Sequence, residues 1–95
     1  MWNKFNNPDA QVELELSQAE RKLLLTGLVY LDKRVEEELR STPAGLPVQI
    51  RLGDLDDLAG HVAGEANHAR SERTEEILSG LFEKIEELLA FHARR

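Results

Sequence analysis

A short phrase occurs twice in this chain, and it sets most of what the chain can fold into. Val12-Glu13-Leu14-Glu15-Leu16 runs into Ser17, and Val48-Gln49-Ile50-Arg51-Leu52 runs into Gly53-Asp54. Each alternates apolar and polar residues and is followed at once by a helix start. A period of two places Val12, Leu14 and Leu16 on one face of a strand, and Val48, Ile50 and Leu52 on one face of another. Adjacent strands with helices on their apolar face are the expected arrangement. The fold class is therefore α+β, mostly helical, ordered β-α-β-α-α with two short strands and three helices. A long helix between the strands permits a right-handed parallel crossover, in which Glu13 and Glu15 face Arg51 across the pair. The sequence leaves parallel and antiparallel pairing open.

Ser17-Gln18-Ala19-Glu20 has the form of a capping box, in which the serine hydroxyl accepts from the Glu20 amide and the glutamate reaches back. A helix from about 18 to 40 is expected to follow, with Leu24, Leu28, Leu31, Val35 and Leu39 as its stripe. Its first half is apolar around most of its circumference, which predicts the central, most buried helix. Two prolines and a glycine make residues 41–47 a loop. The second helix begins at Gly53 or Asp54, where Asp54, Asp56 and Asp57 complement the positive dipole end. Leu55, Leu58, Ala59, Val62, Ala63 and Ala66 form its buried face. Gly60 and Gly64 make it lean, so another helix is expected close against it. A break at residues 67–71, with Ser71 capping the next helix, competes with one continuous helix from 54 to 93. The last helix, about 72 to 93, carries Leu78, Leu81, Ile85 and Leu88 at three- and four-residue steps, flanked by Ile77, Phe82 and Leu89. That is a coiled-coil-like seam for two heptads. Leu24, Leu28, Leu58, Val62, Leu81 and Ile85 are expected to meet in the core.

Ninety-five residues make one domain, here residues 11–93 behind an N-terminal arm of residues 1–10. Without cysteine there are no disulfides, thiolate metal sites or cysteine nucleophiles. The 18 acidic residues outnumber 12 Lys and Arg, for a net charge of −6. Nucleic-acid binders draw most of their affinity from a basic face, so this balance disfavours that class. Residues 23–31 form the longest apolar-rich stretch, far short of the ~20 needed to span a bilayer. The arm has no apolar stretch that would make it a secretory signal. A cytoplasmic protein is the expectation.

One polar grouping could carry chemistry. Asp57, His61, Glu65 and His68 follow helical spacings of four, four and three, within about 80° of arc. Glu65-Ala66-Asn67-His68 is the Glu-x-x-His step that supplies ligands to carboxylate-bridged metal centres in bundles. His61, Glu65 and His68 are thus the candidate metal ligands, while the plainer reading is the polar face of an amphipathic helix. His92 suits the negative end of the last helix. No serine sits where a nucleophile triad needs one, no glycine-rich phosphate loop is present, and neither catalytic residues nor a cofactor are expected. Two strands alone make a poor sheet, and the last helix carries more apolar surface than one partner helix requires. With Trp2, Phe5, Phe82, Leu89 and Phe91 as candidate interface residues, the sequence points to a homodimer. The function read is a small non-enzymatic interaction or regulatory module; a metal-binding helical domain is the alternative.

Leu55-Asp56-Asp57-Leu58-Ala59-Gly60-His61-Val62-Ala63-Gly64-Glu65-Ala66-Asn67-His68, with the helix around Leu81-Phe82-Glu83-Lys84-Ile85, resembles a segment of small bacterial plasmid-type open-reading-frame proteins of unknown activity. The likeness covers about residues 48 to 90. It implies a bacterial cytoplasmic protein and carries over no reaction, ligand or catalytic residue.

Overall fold

The computed structural model describes residues 7–93. Strands β1 (Gln11–Leu14) and β2 (Val48–Arg51) form a two-stranded sheet. Between them lie helices α1 (Gln18–Leu25) and α2 (Lys33–Ser41); α3 (Leu52–Asn67) and α4 (Glu72–Ala93) follow. The order is therefore β-α-α-β-α-α, with four helices where the periodicity predicts three. The single helix expected over 18–40 is two, because Thr26-Gly27 ends the first and Asp32 begins the second. The Thr26 amide and hydroxyl both donate to the Leu23 carbonyl, at 3.2 and 2.6 Å. Gly27 then takes φ 87°, a left-handed conformation that glycine adopts without a Cβ penalty. Asp32 caps α2 by accepting from the Arg34 amide at 3.0 Å.

This break also decides the pairing sense. The strands run antiparallel, Gln11 opposite Arg51, Glu13 opposite Gln49 and Leu14 opposite Val48. One helix would carry the chain to the far end of the sheet, whereas two helices in series bring it back to the end it left. The parallel crossover is thereby replaced, and Glu13 meets Gln49 rather than Arg51, accepting from its Nε2 at 3.1 Å.

Alternation holds along both strands: Val12, Leu14, Val48 and Ile50 are buried while the intervening side chains face outward. Helix α3 starts directly out of β2. Its first amides need no side-chain cap, because Leu52 donates to the Ala10 carbonyl at 3.0 Å and Gly53 to the Pro8 carbonyl at 2.9 Å. The separation of α3 from α4 falls where the sequence places it. His68 caps α3, and Ser71 accepts from the Thr74 amide at 3.1 Å to start α4.

The densest packing is between α3 and α4, not around the first helix. Leu55, Val62, Leu78, Leu81 and Ile85 are all 0% exposed. In contrast, α1 buries Leu24 and Glu20, and Leu28 is 43% exposed. Leu28 was expected in the core by its place in a stripe; the helix carrying that stripe ends three residues earlier, so the spacing no longer sets its direction. Val29 turns inward instead, at 1% exposed, and anchors the connection. The other five expected core residues are buried.

Candidate functional site

The capping box that starts α1 is also the joint that holds α1 to α4. Ser17 Oγ accepts from the Glu20 amide at 3.1 Å, and Glu20 Oε1 accepts from the Ser17 amide at 2.9 Å. Glu20 is buried, at 8% exposed, a costly place for a carboxylate unless it is paired. Lys84 of α4 supplies the pair, its Nζ lying 2.6 Å from Glu20 Oε1 and donating to the Glu15 carbonyl at 2.8 Å. Sequence reading finds the box but not Lys84. The available signal is that Lys84 is the sole lysine or arginine between Arg73 and Arg94.

Beside this joint, β1 and α4 enclose a groove of about 460 Å³, lined by Glu13, Leu14, Glu15, Lys84, Glu87, Leu88 and Phe91. Its floor is apolar and its rim is charged. Phe91 is 56% exposed and meets the His92 ring edge-on, with centroids 5.2 Å apart. Of the other candidate interface residues, Leu89 is buried in the core and Phe82 packs half-buried against it. A core role absorbs Leu89, because the seam of α4 faces α3. Trp2 and Phe5 lie outside the described residues.

A second face is formed by the α1–α2 connection and the outer side of α3. Tyr30 is 65% exposed and stands edge-on to His61, with ring centroids 5.1 Å apart. Leu28 is exposed on the same connection. Gly60 and Gly64 are exposed too, and a Cβ placed on either meets nothing within 4 Å. The alanine side of α3 packs inward as expected, with Ala59 buried and Ala66 half-buried on the core, and α4 lies close against the helix; Gly60 and Gly64 lie off that contact. At one end of this face Arg34 forms a two-point bond to Asp54, with Nη2 2.8 Å from Oδ1 and Nε 3.3 Å from Oδ2. The bond to Asp54 and its negative charge, with Asp32 adding, raise the pKa of an already permanently charged guanidinium.

His61 is exposed, Glu65 half-buried and His68 exposed at the helix cap. Because α3 ends at Asn67, the helical step from Glu65 to His68 runs out one residue early. His68 has φ −115° and ψ 11°, outside the helix. Among the described residues no three His, Cys, Asp or Glu side chains are grouped as a metal site requires, and no helix is long and apolar enough to cross a membrane. No protein-family model, curated protein or solved structure matches this chain.

Proposed function

We propose that the protein is a small non-enzymatic interaction module that works as a homodimer, and that the two copies meet over the face formed by the α1–α2 connection and α3. The observation that carries this reading is the open space over Gly60 and Gly64 on α3, the helix whose His61 meets exposed Tyr30 of the connection; Leu28 is exposed on that connection too. Glycines inside an exposed helix weaken it by roughly 0.5–1 kcal/mol relative to alanine, and a closely approaching second helix gives them a use. Exposed apolar surface grouped in a patch marks a docking face, and Leu28 and Tyr30 supply such surface on the connection. Two-fold pairing buries one patch against its copy, which is the commonest closed solution. In this arrangement His61 acts as a contact residue held by Tyr30.

Gly60→Leu tests the reading without disturbing the fold, since the added side chain enters empty space in the single chain. Sedimentation equilibrium of the unaltered protein should give twice the 10.8 kDa chain mass, and Gly60→Leu should give the single mass with an unchanged helical spectrum. A single-chain mass for both proteins, or a double mass for both, overturns the proposed face.

A further inference from the structure

We propose that the outer edge of β1, with the groove beside it, binds an extended segment of a partner protein that carries basic residues around an apolar anchor. The inference rests on the reading of this chain as an interaction module, at a surface separate from the dimer face. Antiparallel strands alternate between pairs that exchange hydrogen bonds and pairs that do not. The Leu52 amide bonds to the Ala10 carbonyl, and Ala10 lies opposite Leu52 in the register. That sets the phase: Val12 and Leu14 bond to β2, so Gln11 and Glu13 turn their amides and carbonyls away from it. Among the described residues no strand pairs with this edge. A row of unmade backbone bonds is a template for one more strand.

The groove gives that strand side-chain contacts. Leu88 is half-buried on its floor and Phe91 stands exposed at its end, both suited to an apolar anchor. The rim selects by charge. Glu13, Glu15 and Glu87 are exposed, and Lys84, the sole cation lining the groove, is already engaged by Glu20 and the Glu15 carbonyl. What remains is an acidic border, on a chain of net charge −6. A second copy is a poor occupant, because pairing β1 with its own copy lines glutamates against glutamates, and like charges across a strand pair are destabilising. A basic, alternating segment satisfies backbone, floor and rim together.

The test uses the full chain, uniformly labelled with nitrogen-15, and a hexapeptide of alternating Lys and Val ending in Phe. A Glu-for-Lys counterpart and a backbone N-methylated version serve as controls. The Lys peptide should shift the Gln11 and Glu13 amides and bind about tenfold more tightly than either control. Glu13→Lys with Glu87→Lys, both at exposed positions, should abolish the preference for Lys over Glu with no loss of fold. The proposal is overturned if no amide of β1 moves, or if N-methylation leaves affinity unchanged. It is equally overturned if β1 amides respond to protein concentration without peptide, or if binding requires removal of residues 1–6. The first of these last two results puts a second copy in the groove, and the other puts the chain's own arm there. Sedimentation of the same samples reports the dimer separately, so a lost peptide site and a lost dimer are distinguishable.

Discussion

Both the α1–α2 segment and the α3–α4 pair carry an apolar stripe in sequence, yet they use it differently. In α3–α4 the stripe and the packing agree: Leu55, Val62, Leu78, Leu81 and Ile85 have no exposed surface. In the first pair the stripe runs across a stop, and Leu28 and Tyr30 are left outside. Glycine alone does not account for this, since Gly60, Gly64 and Gly80 sit inside helices without positive φ. Gly27 differs in following a threonine that ties back to Leu23 and in preceding an aspartate that caps a new helix. Periodicity tells which face a helix would bury; local chain punctuation decides whether the helix continues.

Core truncation should separate the two pairs most sharply. Leu81→Ala is expected to cost about 2–5 kcal/mol in denaturant unfolding, as the cavity lies in the best-packed part of the molecule. Leu28→Ala should stay within about 0.5 kcal/mol of the unaltered protein under the same conditions, at a concentration low enough to keep single chains. Equal losses for both would place Leu28 in the core after all. The break itself is tested by Gly27→Ala, which forces a Cβ into a left-handed conformation and should cost about 1–2 kcal/mol. A stabilised variant would instead favour one continuous helix over 18–40. Ser17→Ala removes one half of the capping box and should cost about 1 kcal/mol, read as a lowered midpoint in urea. The smallest effect runs the other way. Gly80→Ala lies on an exposed stretch of α4, where a Cβ meets nothing within 4 Å. It should stabilise by about 0.5–1 kcal/mol, and a loss would mean that this face is covered.

Features written in neighbouring residues were legible in the sequence. The alternation of both strands, the Ser17–Glu20 box, the start of α4 at Ser71 and the inward face of α4 all follow from short-range chemistry. The stop at Thr26-Gly27 and the cap at Asp32 were equally local, but the strong stripe spanning them concealed both. Pairing sense was not legible, because it depends on how many helices separate the strands. The partners of Lys84 and Arg34 were hidden for a different reason: Glu20 is 64 residues from Lys84, and Asp54 is 20 from Arg34. On the candidate site, helical spacing grouped His61, Glu65 and His68, and the end of α3 at Asn67 removes the last from the helix. Tyr30 and the Gly60–Gly64 surface emerged only once the connection between α1 and α2 was in place.

The central claim is that the face of Leu28, Tyr30 and Gly60 meets its copy, and backbone hydrogen exchange across residues 26–31 tests it most directly. These residues lie between helices, and among the described residues the Leu28 amide is held only by a 3.4 Å contact to the Thr26 hydroxyl. Their exchange therefore reports what covers the connection. Exchange measured from nanomolar to high micromolar protein should slow with concentration at these amides, while Gln11 and Glu13 stay unchanged. Rates at residues 26–31 that are independent of concentration, in a protein whose sedimentation shows paired chains, would contradict the account.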